Sequence, residues 1–302
     1  MLPKTTAIQG RLIDARVELL ASCWGEPSLF NHAILCQVGL PYRCLGDARV
    51  FQRVSGTERY KVSMRLEGGA LSTADGGFED VPLPFGPRAR LLLLHLSSRA
   101  IKTQSALVEV ETSFTAFARS LGLATTGRNL KTLREQVRRM SVVSMRLAKK
   151  NGPYTDQFQG PVFSKVRALT PSCAEQQTLW PSYVEFSPEF FQSLQHHAVP
   201  LRMCAVGALK HSSRCLDVYG WLAHRLWRIS PSRPVSLSWT TLRYQFGDNT
   251  IDMRGFKRSL KTALKQVLIV YPKAKVSVIH GGLLLKNSHP PVPMTSKTKL
   301  LH

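Results

Sequence analysis

The sequence predicts an α+β fold in which two similar units follow one another, and three observations support this prediction. Residues 254–285 read as a basic helix, a proline stop and a strand–turn–strand hairpin. Residues 216–227 and 239–246 predict two helices before this stretch, and residues 86–169 show the same order of two helices, a basic helix and strand-like segments. The Thr-Pro-Ser stretch at 170–172 lies between them as a linker candidate. Because a basic helix followed by a two-stranded wing is the DNA-reading half of a winged helix, we predict two tandem winged-helix domains, each a helix-turn-helix plus a β-hairpin wing.

The helix of the second unit separates cations from apolar residues, since a helix turns by about 100° per residue. One arc is apolar and contains Phe256, Leu260, Ala263 and Val267, with Leu264 at its border. The opposite arc contains Arg254, Lys257, Arg258, Lys261 and Lys265, with no carboxylate among them. Pro272 ends this helix because proline lacks an amide hydrogen and disfavours helix at the preceding residue. Residues 275–279 and 283–286, joined by a His-Gly-Gly turn, predict the hairpin.

The first unit shows a similar pattern. Gly86-Pro87 opens its first helix, because proline is favoured in the first turn. Thr112 or Ser113 caps a second helix, and a third spans residues 127–140. The third helix has an apolar stripe of Leu130, Leu133, Val137 and Met140. Its other stripe is basic and contains Arg128, Lys131, Arg134, Arg138 and Arg139. Residues 141–148 and a return strand at 162–169 would form the hairpin.

These patterns divide the chain into four parts. Residues 1–27 carry no clear element and are predicted to be a flexible lead. Residues 28–170 form the first winged-helix domain and residues 171–287 the second. Residues 288–302, rich in proline and lysine, are predicted to be a disordered basic tail.

Cations on the two basic helices and beside the second hairpin are the candidate DNA contacts. They are Arg254, Lys257, Arg258, Lys261, Lys265, Lys275, Arg128, Lys131, Arg134 and Arg138. Such side chains meet phosphates and guanine edges. The alternative is a pair of amphipathic helices whose basic faces are merely solvated. A surface helix normally mixes both signs of charge, which disfavours that alternative for residues 254–270, whereas Glu135 interrupts the row in the first unit.

The overall charge indicates a polyanionic partner. The 302 residues contain 41 Lys+Arg against 19 Asp+Glu, a net charge of +22, and such an excess is typical of proteins that bind nucleic acid. Double-stranded DNA is therefore the expected partner. A membrane is not, because no apolar run reaches the roughly 20 residues of a spanning helix. The N-terminus does not read as a secretory signal, and the six cysteines lack metal-binding spacing. We therefore expect a cytoplasmic protein with free thiols.

Patterns typical of catalysis are missing from the sequence. It contains no G-x-x-x-x-G-K-[ST] motif for nucleotide phosphates, and no acidic cluster suited to two-metal phosphoryl chemistry. An origin-nicking enzyme would need a tyrosine and paired metal-binding histidines, whereas His196 and His197 are adjacent at a helix end. The sequence therefore predicts no catalytic residue, no metal and no cofactor. A protein that is not an enzyme is expected.

Three blocks resemble plasmid-encoded RepA replication initiators. The central block is FGPRARLLLL at 85–94, IKTQS at 101–105, SFTAF at 113–117 and GR at 127–128. A second-domain helix is similar at 213–226, SRCLDVYGWLAHRL. The closing block is similar at FKR 256–258, VYP 270–272, AKV 274–276 and GL 282–283. The likeness runs from about residue 30 to residue 293. His224 departs from the family pattern, which affects only the expected local packing.

The resemblance implies a plasmid replication initiator without catalytic residues. Such a protein binds repeated sequences at the plasmid origin, helps to open the duplex and recruits host replication proteins such as the helicase and the initiator ATPase. Proteins of this family often repress their own gene, and their first domain can mediate homodimer formation. A plain sequence-specific transcriptional regulator needs the same two helix faces, so it stays open as the alternative.

Overall fold

The computed structural model describes residues 6–21, 28–56, 60–73, 75–111, 113–169, 180–247 and 252–293. The helices are α1 (Ala7–Ala21), α2 (Gly86–Thr103), α3 (Phe114–Ser120), α4 (Gly127–Ser141), α5 (Pro188–His196), α6 (Met203–Leu209), α7 (Ser213–Arg225), α8 (Trp239–Phe246) and α9 (Met253–Val270). A short 3-10 turn at Leu226–Arg228 follows α7.

The strands are β1 (Ser28–His32), β2 (Val50–Gly56), β3 (Tyr60–Glu67), β4 (Ala70–Ser72), β5 (Phe78–Asp80), β6 (Leu107–Glu109), β7 (Ser144–Asn151), β8 (Tyr154–Pro161), β9 (Phe163–Leu169), β10 (Trp180–Phe186), β11 (Ala198–Arg202), β12 (Val235–Ser238), β13 (Val276–Ile279) and β14 (Gly282–Leu285). Helices and antiparallel strands are mixed along the chain, so the α+β prediction is confirmed.

The same order of elements occurs twice. In the N-terminal part, α2, β6, α3 and α4 come first, β7 and β8 are inserted after α4, and the hairpin β9–β10 follows; the sheet order is β6-β10-β9. In the C-terminal part, α7, β12, α8 and α9 are followed by the hairpin β13–β14, and the sheet order is β12-β14-β13. In both sheets the strand between the first two helices pairs with the last strand of the hairpin. We call these parts the first and the second unit.

The predicted hairpin of the first unit is wrong in its pairing. β7 pairs with β8, with Asn151 opposite Tyr154, and residues 163–169 do not return along it. The two-residue connection explains this, because Gly152 adopts a φ of 60° and places the very next residues opposite β7. β7 and β8 extend a four-stranded sheet of order β2-β3-β7-β8, whose alternate residues Val62, Met64 and Leu147 are buried.

The predicted domain boundary at residue 170 does not separate the strands. β10 lies beyond it in the chain, yet Val184 pairs with Val108 of β6 and with Val166 of β9. β1, at the start of the predicted first domain, pairs with β11, which was assigned to the second. The Thr-Pro-Ser stretch itself lies outside the described residues. β9 and β10, on either side of the predicted boundary, are neighbouring strands of one sheet, and composition does not reveal that pairing.

The N-terminal lead is a third correction. Residues 7–21 form α1, which packs against α6 and against α9 of the second unit; α6 directly precedes that unit in the chain. Leu12 and Ala15 are buried, with Ile8 and Leu19 packed beside them. This spacing of four, three and four residues is an amphipathic stripe. The guanidinium of Arg16 donates to the carbonyl of Ile269 in α9 (3.0 Å), so α1 is held in place at both its apolar and its polar positions.

The predicted basic tail is ordered over its first residues. Ser288 is buried, and its amide donates to the Leu226 carbonyl (3.3 Å). The Tyr271 hydroxyl donates to the carbonyl of His289 (2.7 Å), and Arg202 donates to that of Pro291 (2.9 Å). These bonds fasten residues 288–293 across the second unit. Composition could not reveal this order, because the groups that hold the segment come from distant parts of the chain. Residues 294–302 lie outside the described part.

Candidate nucleic-acid interface

The helix α9 is well defined by its ends and its apolar face. Asp252 caps its N-terminus, and its carboxylate accepts a bond from the Gly255 amide (2.8 Å). The helix stops at Tyr271, directly before Pro272, as the sequence predicts. Its buried residues are Phe256, Leu260, Ala263, Leu264, Val267 and Val270. The predicted apolar arc is therefore confirmed as the packed face.

The opposite face of α9 presents a row of positive charge. Arg254, Arg258, Lys261 and Lys265 are exposed and Lys257 is half-buried. The helix contains no Asp or Glu. Among the described residues, none of these five cations forms an ion pair with a carboxylate of the protein. Their positive charge is thus not neutralised by any carboxylate in the described part of the chain, and it is available to an anionic partner.

Trp239, the first residue of α8, connects this face to the hairpin. The ammonium groups of Lys257 and Lys261 lie 5.7 and 5.4 Å from the centre of its indole ring, within the range of a cation–π interaction. Its indole N–H donates to the carbonyl of His280 (3.1 Å), and its backbone amide donates to that of Gly281 (3.0 Å). The ring therefore fixes the hairpin turn against α8 and orients two of the lysines.

The hairpin β13–β14 carries its lysines at the base. The Lys286 amide donates to the Lys275 carbonyl (3.0 Å), so the two residues are paired across the open end of the hairpin, and both are exposed. The strand β13 also exposes two apolar side chains, Val278 and Ile279. The predicted contact Lys275 is therefore close to the end of α9 and far from the turn.

The helix α4 has the same design with a less uniform charge. Thr126 caps it, and Leu133 and Met140 are buried. Arg128, Lys131 and Arg134 are exposed. The other two cations of the predicted stripe are paired within the protein. Arg138 forms an ion pair with Glu79, and Arg139 lies against Glu135 (2.6 Å) and donates to the Leu83 carbonyl (3.0 Å).

Arg88 is a further cation at this surface that the sequence analysis did not single out. Its guanidinium donates to the Asn129 side chain (2.6 Å), beside the N-terminus of α4. Burial, and next the positive charge of Arg128, lowers the pKa of Arg88 below its ordinary value. The first turns of α2 and α4 therefore bring two cations together. No periodicity could reveal this pair, because the two residues are on different helices.

Between the two units lies a buried ion pair that also escaped the sequence analysis. Arg90 of α2 contacts both carboxylate oxygens of Asp217 in α7, at 2.6 and 2.8 Å. The same guanidinium donates to three backbone carbonyls, those of Leu40, Pro41 and Gly86. Although burial opposes its charge, Asp217 raises the pKa of Arg90 above the ordinary value. All of its donors are satisfied, which is the condition under which a buried charge is tolerated.

Tyr42 lies at the centre of this contact. Three guanidinium groups, those of Arg53, Arg90 and Arg214, lie 4.9, 5.0 and 4.9 Å from the centre of its ring. Burial, and then the charge of Asp217, raises the pKa of the Tyr42 hydroxyl to about 12. The ring is therefore uncharged at neutral pH and presents its π-face to the cations.

The described residues meet neither the requirements of a metal site nor those of a membrane span. Over those residues, no group of three or more His, Cys, Asp or Glu side chains is arranged so that it could hold a metal ion. His196 and His197, the pair weighed in the sequence analysis, have ring centres 6.4 Å apart and nearly perpendicular rings. Within the same part of the chain, every helix is too short or too polar to cross a bilayer.

Comparison with known proteins places the chain in a family. The family described as plasmid encoded RepA protein matches residues 83–241, which is more than half of the chain and runs from α2 into α8. The matched segment contains the basic helix α4 and ends before α9. The chain is a member of the plasmid-encoded RepA family, as the resemblance of its sequence blocks implied. No match was found among curated proteins.

Solved structures with a similar fold come from RctB. The crystal structure of a selenomethionine derivative of its domains 2 and 3 covers 84% of this chain and 98% of that chain, at 10% identity and a TM-score of 0.50. A second structure of RctB domains 2–3 covers 83% and 94%, at 12% identity and a TM-score of 0.49. At such low identity the likeness concerns the fold alone.

Proposed function

We propose that this protein is a plasmid replication initiator that binds repeated sequences at the plasmid origin through two winged-helix domains. Its membership of the RepA family supports the initiator role. In this proposal it acts in the cytoplasm, helps to open the duplex and recruits host replication proteins such as the helicase and the initiator ATPase. A homodimer is a further form that the family relationship suggests.

The winged-helix assignment is supported by the order of elements in both units. Each unit contains a helix, a short strand, two further helices and a hairpin in this order, with β7 and β8 inserted before the hairpin of the first unit, and the short strand pairs with the last strand of the hairpin. In helix-turn-helix proteins the second helix of the motif is the one that enters the major groove. That position is occupied by α4 in the first unit and by α9 in the second. We therefore assign these two helices as recognition helices.

The observation that carries the proposal is the exposed face of α9. Four exposed cations and one half-buried lysine lie on it without a carboxylate, and Lys257 and Lys261 are oriented by Trp239. Cations in such a row can neutralise phosphates, and an arginine among them can read guanine. We assign the same role to Arg128, Lys131, Arg134 and Arg138 of α4 and to Lys275 of the hairpin. Because Arg138 is paired with Glu79, it must exchange that partner to reach DNA.

Binding is tested by footprinting the protein on the DNA that flanks its own gene. We expect protection of several repeated sequences. Each repeat should contain two successive blocks of base pairs, one contacted by α4 and the other by α9. The variant Arg258→Ala should weaken this protection, whereas Arg11→Ala, which removes an exposed cation from α1, should leave it unchanged. Uniform binding to all duplexes, with no protected repeats, would contradict site-specific recognition.

Initiation is separated from gene regulation by a transformation test. A plasmid that contains the gene and its flanking DNA, with no other origin, should be maintained in a host that does not otherwise replicate it. Arg258→Ala should abolish maintenance and Arg11→Ala should not. Protected repeats without plasmid maintenance would favour the transcriptional regulator.

We further propose that the protein acts without catalysis, metal or cofactor. Its contribution to duplex opening would come from binding energy alone. Supercoiled origin plasmid incubated with the protein and Mg²⁺ should therefore stay supercoiled, and no covalent protein–DNA species should form. Relaxation of the plasmid would identify a nicking activity and reject this part of the proposal.

A further inference from the structure

The two units meet at a polar contact that is buried, which is unusual for a surface between domains. We call it the Tyr42 junction and define it by Gly39, Tyr42, Arg53, Arg90, Arg214 and Asp217. Contacts between domains of one chain are commonly polar and permit relative motion. Here Arg53, Arg90, Arg214 and Asp217 are all buried. Their bonds are directional, so a change in the relative position of the units would leave buried charges unpaired.

The pair Arg90–Asp217 connects the helices that support both basic helices. Arg90 belongs to α2, which packs against α4, and Asp217 belongs to α7, which packs against α9. The side chains of this pair are 6% and 8% exposed, whereas each other ion pair of the described residues has at least one partner that is 31% exposed or more. Screening by water and salt is weakest for such a buried pair. The orientation of α2 relative to α7 is therefore fixed by a two-pronged bond.

The other two arginines add bonds across the same boundary. Arg53 of β2 donates to the Gly39 carbonyl (3.2 Å) and to the Gly247 carbonyl (2.9 Å), which directly follows α8. Arg214 of α7 lies on the Tyr42 ring and also donates to the Ser259 hydroxyl on α9 itself. The junction is thus linked to α8 and α9 as well as to their supporting helix.

The close approach at Gly39 shows how little room the junction has. A Cβ atom at this position would lie 2.2 Å from a carboxylate oxygen of Asp217. Any larger residue must displace the carboxylate or the segment that carries Gly39. The position therefore offers a way to disturb the junction without removing a charge.

We propose that the Tyr42 junction fixes the distance and the rotation between α4 and α9, and thereby determines the spacing of the two DNA blocks that the protein accepts. This inference rests on the proposed function, since it concerns how two recognition helices act on one duplex. One inserted base pair moves a block by about 3.4 Å along the axis and turns it by about 35° around the axis. A protein with a rigid junction cannot follow such a change.

The test is a spacing series. Two blocks of one protected repeat are first mapped on the wild-type protein, with Lys131→Ala and Arg258→Ala used to assign each block to its helix. Duplexes are then made with one base pair deleted or with one to five inserted between the blocks. Binding is measured for the wild type and for Asp217→Asn, Gly39→Ala and Arg53→Lys. Glu111→Gln is the matched control, because it makes the same acid-to-amide change in the Arg99–Glu111 ion pair within the first unit.

A second measurement on the free protein does not depend on DNA. Spin labels are attached through unnatural amino acids at positions 131 and 265, one on each basic helix, and the distance distribution between them is recorded. The wild type and Glu111→Gln should give one narrow distribution. Junction variants should give a broader one while still melting cooperatively. If Asp217→Asn does not fold, the distance is measured on Arg53→Lys, which retains the charge.

The outcomes separate this inference from the proposed function. One inserted base pair should lower wild-type affinity by about tenfold or more, because one block leaves its register. The junction variants should bind all spacings with similar, weaker affinity, and Glu111→Gln should follow the wild type. Variants that retain the wild-type spacing profile and the narrow distance distribution would overturn the junction inference alone. A wild-type protein that protects no repeat would overturn the proposed function, whatever the distances.

Discussion

At the scale of single residues, Arg258 and Leu260 test which face of α9 meets DNA. Replacement of exposed Arg258 by alanine should change the free energy of unfolding by no more than about 0.5 kcal/mol. If its side chain reads a base edge, affinity for the cognate repeat should fall by about 1–3 kcal/mol, with relaxed discrimination at one position. If it contacts only phosphate, all sequences should weaken alike and the salt slope should drop by about one.

Leu260→Ala is the counterpart on the packed face. Leu260 is 1% exposed, so the smaller side chain should cost about 2–5 kcal/mol of stability. Thermal melts and binding titrations on both variants decide the matter. Early melting of Arg258→Ala, together with a stable Leu260→Ala that fails to bind, would reverse the assignment of the two faces.

His32 should contribute to sensitivity to acid. Burial, and then the charge of His197, lowers its pKa from 6.5 to about 3. The Ile34 amide donates to its Nδ1 (3.1 Å), so the neutral ring holds its proton on Nε2 and faces the Ser193 hydroxyl (2.9 Å). Below pH 6.5 the unfolded chain binds a proton here that the folded chain does not. The folded chain is therefore not penalised by His32 above pH 6.5, and the free energy of unfolding decreases as the pH falls from 6.5 toward 3.

The variant His32→Asn should therefore flatten the fall of stability with acid. The asparagine oxygen can still accept the Ile34 amide, and its side chain does not titrate. Between pH 6 and 4 the slope of unfolding free energy against pH should decrease by up to about 1.4 kcal/mol per pH unit. Denaturant titrations across this range measure it. His280→Asn, on the exposed hairpin turn, is the control and should leave the slope unchanged.

At the scale of elements, α1 should stabilise the second unit although it begins the chain. Leu12→Ala removes a side chain that is 1% exposed and should lower stability by about 2–5 kcal/mol. Ile13→Ala changes the neighbouring residue, which is 53% exposed, and should have an effect within about 0.5 kcal/mol. Urea unfolding of the two variants makes the comparison. Equal, small effects would mean that residues 7–21 do not pack as described.

The hairpin β13–β14 contains two adjacent glycines, Gly281 and Gly282, which form a matched pair for substitution. A Cβ at Gly282 would lie 1.8 Å from the Leu237 carbonyl oxygen, whereas one at Gly281 would meet nothing within 4 Å. Gly282→Ala should therefore push the hairpin away from β12 and disturb Trp239, which orients two lysines of α9. We expect it to lower both melting temperature and DNA affinity, while Gly281→Ala leaves both near the wild-type values. Equal melting temperatures and DNA affinities of the two variants would mean that the position of the hairpin does not affect DNA binding by α9.

At the scale of the whole molecule, binding to DNA should depend steeply on salt. Two basic helices and their hairpins could neutralise about 6–10 phosphates, which implies a loss of about 10³–10⁵ in affinity between 50 and 200 mM salt. Titrations at several salt concentrations give the slope. A nearly flat response would contradict the idea that the net charge of +22 serves DNA binding.

What the sequence determined by itself is local. The packed and charged faces of α9 follow from spacing along one helix, because residues three and four apart share a face wherever the helix is placed. The stop at Tyr271 follows from the proline after it, and the β13–β14 hairpin follows from its glycine turn. The family resemblance was likewise carried by contiguous blocks. These features depend on interactions within a few residues, so periodicity and turn chemistry suffice.

What only the tertiary structure decided is which distant surfaces meet. The pairing of β9 with β10, the docking of α1 on α6 and α9, and the fastening of residues 288–293 join parts of the chain that have no mutual signal in sequence. Arg90 and Asp217 lie 127 residues apart, and each alone reads as an ordinary charge on a helix. Burial makes them a specific bond, because the free energy of a charge depends on the solvent and the partners around it. That environment exists only once both units have packed.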